Sequence, residues 1–99
     1  MFISTNFNTD IPKLYEQQDK KHQVAYVKYS VPGSDWTWYI LEYSKSQQLF
    51  YGYLEPDNEY GYFTIDELIR VILEYNVDIE QDVTFKPQML HELIHDFHQ

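Results

Sequence analysis

A chain of 99 residues, of which 43% are hydrophobic and 18% aromatic, has the size of one domain. Its apolar runs are far shorter than the roughly 18 residues of a membrane-spanning helix, and its first ten residues lack the basic and hydrophobic regions of a secretion signal. The absence of cysteine excludes disulfides and thiolate metal sites. We therefore expect one cytoplasmic domain over residues 1–99 that does not bind membranes.

The negative charge of the chain lies in its second half. Sixteen acidic and seven basic residues give a net charge of −9. Five basic and five acidic residues cancel over residues 1–50, so residues 51–99 carry the whole excess. Proteins that bind nucleic acid usually present a basic surface, so direct binding of DNA or RNA is not expected.

The first half of the chain predicts a short helix and then a sheet. Asp10 before Ile11-Pro12 has the pattern of an N-cap followed by proline in the first turn, which predicts a helix to about Gln18. Segments rich in β-branched and aromatic residues then alternate with turn sequences and predict an antiparallel meander. Its predicted strands are Val24 to Ser30, Trp36 to Tyr43 and Leu49 to Leu54.

The clearest helix begins at Thr64. Thr64 and Glu67 have the spacing of a capping box, and Phe63 can pack on Leu68 as a hydrophobic staple. Apolar residues cover most of the circumference of this helix. We therefore expect it to be largely buried.

The C-terminal part predicts a short extended segment at Val83 to Phe85 and a terminal helix after Pro87. The apolar stripe of that helix would consist of Leu90, Leu93, Ile94 and Phe97. The expected fold class is therefore α+β, with a small antiparallel sheet of three to four strands packed with two or three helices.

A possible zinc motif lies at the C-terminus, because His91, Glu92 and His95 match H-E-x-x-H. His98 is about 10.5 Å from His91 along a helix axis, too far to bind the same ion, and His22 is the remaining histidine. A third ligand is missing from the sequence pattern. We therefore expect no cofactor, no metal site and no catalytic residue, although His91 and His95 could bind metal incidentally, and a zinc enzyme is the less favoured alternative.

Four segments resemble the 2958 family of domains of unknown function. They are D-W-T-W-Y at 35–39, F-Y-G-Y at 50–53, E-Y-G-Y-F-T at 59–64 and D-I-E-Q-D-V-T-F-K-P at 78–87. The resemblance extends from about Ile11 to Leu93 and implies a protein carried by phages, plasmids or conjugative elements, often beside antirestriction functions. It implies a bacterial host cytoplasm and no reaction, and the segment that holds H-E-x-x-H varies within the family.

These observations favour an acidic inhibitor of the anti-CRISPR or antirestriction type, whose partner is a host defence nuclease or another basic nucleic-acid-binding protein. Carboxylates can compete with phosphates for the basic groove of such a protein, which would be a form of DNA mimicry. The candidate partner-binding residues are Glu55, Asp57, Glu59, Tyr60, Tyr62, Asp78, Glu80 and Asp82. The alternative is a tyrosine-rich adaptor or assembly module without DNA mimicry. The sequence leaves open the oligomeric state and whether the two acidic segments meet in space.

Overall fold

The computed structural model describes residues 3–5, 7, 9–17 and 22–94. Its strands and helices in chain order are β1 (Val24–Ala25), β2 (Val27–Ser30), β3 (Thr37–Ser44), β4 (Leu49–Glu55), β5 (Glu59–Thr64), α1 (Ile65–Tyr75), β6 (Glu80–Gln81), β7 (Gln88–Met89) and a 3₁₀ helix (Leu90–Glu92).

The main sheet has five antiparallel strands in the order β5-β4-β3-β2-β6, and β1 pairs with β7 in a small second sheet. The predicted meander is confirmed as β2, β3 and β4, and β5 extends it. The first predicted strand, Val24 to Ser30, is not continuous: it is interrupted at Tyr26, and its first part, β1, pairs with β7 instead of joining the main sheet. The expected α+β class is also confirmed. The described part of the chain has one more strand in its main sheet than predicted, and α1 is its one α-helix.

The capping box predicted for α1 is present. The hydroxyl oxygen of Thr64 accepts the backbone N–H of Glu67 at 3.1 Å, and the Glu67 carboxylate accepts the N–H of Thr64 at 2.7 Å. The prediction that this helix is largely buried is wrong. Only Leu68 and Ile72 are fully buried, and Leu73 is 64% exposed, because α1 packs on the sheet along one side only. Within the described residues, no helix has the length and apolar character needed to cross a membrane.

Each face of the sheet has its own core. On the helix side, Leu68 and Ile72 belong to a cluster that includes Tyr29, Trp38, Ile40 and Phe50. On the opposite side, Leu90 and Ile94 pack with Ala25, Tyr39, Leu41 and Tyr53. The C-terminal segment therefore covers part of the second face.

The predicted helix from Asp10 to about Gln18 is wrong, since residues 10–13 have no regular secondary structure and residues 14–17 form a turn and a bend; Gln18 lies outside the described residues. The carboxylate of Glu42, which is fully buried, accepts the backbone N–H of Tyr15 at 2.7 Å and that of Gln17 at 2.6 Å. Tyr15 also has a φ of 74°, which a right-handed helix does not permit. A buried carboxylate on β3 thus binds the N–H groups that a helix would have used within the segment.

Gln17 strengthens this attachment. Its side-chain amide donates to the carbonyl oxygens of Val24 and Leu41 and accepts the N–H of Val24. The buried Gln17 side chain therefore joins the N-terminal segment to β1 and β3.

The C-terminal predictions also need correction. Val83 and Thr84 form a turn rather than part of an extended segment, because the carboxylate of Asp82 accepts both the N–H and the hydroxyl of Thr84. A 3₁₀ helix at Leu90–Glu92 replaces the start of the predicted α-helix. His95, Phe97 and His98 lie outside the described residues.

Candidate functional site

The two acidic segments predicted from the sequence lie at the same end of the main sheet. Glu55 ends β4, whereas Glu80 begins β6. Glu55 pairs with Thr37 of β3, Thr37 pairs with Ser30 of β2, and Ser30 pairs with Glu80. With strands spaced about 4.8 Å apart, the Cα atoms of Glu55 and Glu80 are about 14 Å apart. The segments share one end of the sheet without contacting each other directly.

Asp35 lies between the two segments and was not among the partner-binding residues predicted from the sequence. It belongs to the turn that joins β2 to β3, the two strands that separate β4 from β6. Asp35 and Asp57 line a common surface depression, so the β2–β3 and β4–β5 turns are neighbours. The sequence contained a signal for this arrangement, since alternate turns of an antiparallel meander fall at the same end of the sheet.

Five carboxylates at this end have exposed side chains, and we call them the acidic end. They are Asp35, Asp57, Glu59, Asp78 and Glu80. They come from three different connections of the fold, namely the β2–β3 turn, the β4–β5 turn and the segment that leads from α1 into β6.

Two of the predicted acidic residues do not belong to the exposed surface of the acidic end. Glu55 is only 7% exposed and lies beneath the β4–β5 turn. Asp82 binds the Thr84 hydroxyl at 2.6 Å and its N–H at 3.0 Å, and these bonds, followed by the charge of Lys28, lower the pKa of the carboxyl group. The side chain of Asp82 therefore stabilises its own turn.

The predicted tyrosines belong to a group of aromatic rings on the side of the sheet opposite α1, which we call the tyrosine cluster. The ring centroid of Tyr51 lies 5.0 Å from that of Tyr62 and 6.1 Å from that of Tyr60. The ring of Tyr60 also contacts that of Tyr53. Tyr15 contacts Tyr62 at 6.3 Å. Tyr60 is 49% exposed and Tyr62 is 44% exposed. Tyr60 follows Glu59 directly, so the cluster borders the acidic end.

The structure brings together two histidines that are distant in sequence. The rings of His22 and His91 have centroids 5.9 Å apart. Among the residues that the structure describes, no group of three or more His, Asp or Glu side chains could hold a metal ion. His95, the second histidine of H-E-x-x-H, is outside them.

The relationship of the chain to known proteins rests on its sequence between residues 5 and 94. No curated protein and no solved structure matches the chain. The model of the family described as "Protein of unknown function (DUF2958)" matches residues 5–94, which include the main sheet, α1 and the whole acidic end. The resemblance seen in the sequence is confirmed, and the chain belongs to the DUF2958 family.

Proposed function

We propose that the protein is an acidic inhibitor, carried by a mobile genetic element, that binds a basic nucleic-acid-binding defence protein of its bacterial host. The observation that supports this proposal is the acidic end. Its five exposed carboxylates come from three connections and span about 14 Å between the ends of β4 and β6. Such a surface attracts the lysine and arginine side chains that line a phosphate-binding groove.

The density of charge is comparable with that of one strand of DNA. One DNA strand carries a negative charge every 3.4 Å along the helix axis, so about four phosphates occupy the about 14 Å between the ends of β4 and β6, near which the acidic end lies. The carboxylates can therefore replace phosphates over a short stretch of a basic groove. Association would be accelerated by the net charge of −9 and weakened by salt.

Hydrogen bonds hold the turns that display these carboxylates. In the β4–β5 turn, the N–H of Asn58 donates to the carbonyl oxygen of Leu54 at 2.8 Å, and the Tyr53 hydroxyl donates to the Asn58 side chain at 3.2 Å. In the β2–β3 turn, the Ser34 hydroxyl donates to the carbonyl oxygen of Val31 at 2.9 Å. Preorganised turns lose little conformational entropy on binding, which favours affinity.

The tyrosine cluster favours a second candidate function, a protein-binding adaptor. Tyr15, Tyr60 and Tyr62 expose aromatic surface, and tyrosine is enriched in protein interfaces. An adaptor that uses this surface would bind by apolar contact and would be insensitive to salt. Salt dependence therefore separates the two candidates.

The test uses charge reversal at two opposite ends of the sheet. The variant Asp57→Lys/Glu59→Lys changes the acidic end by four charge units. The control Asp10→Lys/Asp66→Lys has the same net charge, but Asp10 lies beside Ser44 at the end of β3, and Asp66 lies in the first turn of α1. All four side chains are exposed, so both variants should fold.

Binding to the nuclease captured from the host would be measured by calorimetry at about 50 mM and about 300 mM salt, where the Debye lengths are roughly 14 and 6 Å. We expect the acidic-end variant to lose at least tenfold in affinity at low salt and the control to retain most of it. Equal losses would indicate a general effect of net charge. Unchanged, salt-insensitive binding in both variants would favour the adaptor.

A further inference from the structure

A polar recess of about 510 Å³ opens beside the acidic end, between the β2–β3 and β4–β5 turns. Its polar lining residues are Lys28, Ser34, Asp35, Thr37, Tyr39 and Glu55. The volume lies within the range of small-molecule sites. The recess thus combines one ammonium group, two carboxylates and several hydroxyls in a concave site.

The strand register separates the positive and negative groups of the recess. Lys28 lies opposite Tyr39, and Thr37 lies opposite Glu55. Two strand spacings of about 4.8 Å and two residues of about 3.4 Å place the Cα atoms of Lys28 and Glu55 about 12 Å apart. The hydroxyls of Thr37 and Tyr39 belong to the strand between them. On its other side, Lys28 faces Asp82, which is itself bound to Thr84.

Tyr39 provides a hydrogen-bond donor on the wall of the recess. Its side chain is 4% exposed overall and lines the recess. Its hydroxyl forms no hydrogen bond with another described residue and is not a buried unpaired group, so it reaches the space of the recess and can donate to a molecule bound there. Burial, followed by the charge of Glu55, raises the pKa of Tyr39, so the phenol remains protonated and able to donate.

We propose that this recess binds a basic amino acid such as arginine, with its carboxylate at Lys28 and its two cationic groups at Glu55 and Asp35. Two cations and one carboxylate complement the two carboxylates and one ammonium of the recess. An internal arginine side chain of a protein lacks the carboxylate and would bring no negative group to the side of Lys28 that faces the recess, whereas Asp82 lies on its other side. Tyr39 donates its hydroxyl hydrogen bond to the carboxylate of the ligand.

The experiment compares arginine with two analogues, each of which lacks one of its charged groups. Arginine, agmatine, which lacks the carboxylate, and citrulline, which lacks the side-chain charge, would each be titrated into the isotope-labelled full chain and followed by NMR. We expect arginine to shift the amide signals of the recess and to bind at least tenfold more tightly than either analogue. If arginine binds no better than both analogues, or shifts no recess signal, the proposal is wrong.

Single-residue variants test which residue of the recess contacts which group of the ligand. Lys28→Met should remove the preference for arginine over agmatine, and Asp35→Asn, in an exposed turn, should remove the preference over citrulline. Tyr39→Phe should weaken arginine binding severalfold, whereas Lys13→Met, at an exposed lysine outside the recess, should leave it unchanged. Retention of both preferences in the first two variants would overturn the assignment.

The recess and the inhibitory surface can be tested separately. Asp57→Lys/Glu59→Lys should weaken binding of the nuclease and leave arginine binding in place, since neither residue lines the recess. Lys28→Met should weaken arginine binding and leave binding of the nuclease in place.

Discussion

Gly52 and Gly61 offer a matched test of how tightly the centre of the sheet is packed. The two glycines lie directly opposite each other on β4 and β5. A Cβ atom at Gly52 would overlap the carbonyl oxygen of Tyr39 and would lie 3.2 Å from the Tyr39 carbonyl carbon. A Cβ atom at Gly61 would meet no atom within 4 Å. The same substitution should therefore have different effects at the two positions.

The overlap at Gly52 cannot be relieved by turning a side chain, because the obstacle is backbone. Gly52 pairs with Ile40, next to the register irregularity between Ile40 and Glu42, and β3 and β4 would have to separate there. Overpacking costs about 1 to 3 kcal/mol, and each weakened hydrogen bond adds about 1 kcal/mol. We expect Gly52→Ala to lower the free energy of unfolding by roughly 3 to 5 kcal/mol, a large part of the about 5 to 15 kcal/mol available to a domain.

Gly61→Ala should change the free energy of unfolding by less than about 0.5 kcal/mol. Urea denaturation of both variants measures the difference, with equal m-values showing that the unfolded state has not changed. In thermal unfolding, Gly52→Ala should lower Tm by roughly 12 °C or more. Small and equal losses for the two variants would refute the close approach of Gly52 to Tyr39.

Three further predictions concern the buried carboxylate, the tyrosines and the histidines. Glu42→Gln should lower the free energy of unfolding by about 2 kcal/mol, because the NH2 of the new side chain then faces the N–H of Tyr15 or Gln17. Urea denaturation measures this loss, and an unchanged midpoint would contradict the role of Glu42. Burial raises the pKa of Tyr29 and Tyr39 above 10.0, so their contribution to stability should be complete below about pH 10 and should fall above it, by up to about 1.4 kcal/mol per pH unit for each. Alkaline titration should show that a part of the tyrosinate absorbance appears only together with unfolding, and ionisation of both Tyr29 and Tyr39 without unfolding would disprove this. Metal should be dispensable, so a chelator and His91→Ala should leave stability and nuclease inhibition unchanged, whereas stoichiometric zinc retained without a histidine tag and required for inhibition would show otherwise.

Three strands of the main sheet and the start of α1 could be predicted because they depend on residues close together in the chain. Runs of aromatic and β-branched residues separated by turn sequences predicted β2, β3 and β4. The reciprocal hydrogen bonds of Thr64 and Glu67 involve residues three positions apart, so their pattern is visible in the sequence. The family and the concentration of acid in the second half are likewise properties of the sequence alone.

The N-terminal helix shows where such local patterns fail. Asp10 and Pro12 have a sound helix-start pattern, but Glu42 binds the N–H groups of Tyr15 and Gln17 from 27 and 25 residues away. A buried carboxylate is stable only when hydrogen-bond donors surround it, and the backbone N–H groups of this segment are donors to Glu42. The competing partner lies too far along the chain to appear in any local pattern.

The candidate site depended on the tertiary structure to a greater extent. Acidic residues near 57 and 80 were visible in the sequence, but only strand order and register bring them to one end, add Asp35 between them and bury Glu55 below the surface. Register determines which face of the sheet each side chain occupies, and a slip of one residue would reverse it. Local sequence therefore determined β2, β3 and β4, whereas packing of both sheet faces selected the register that creates the acidic end and the recess.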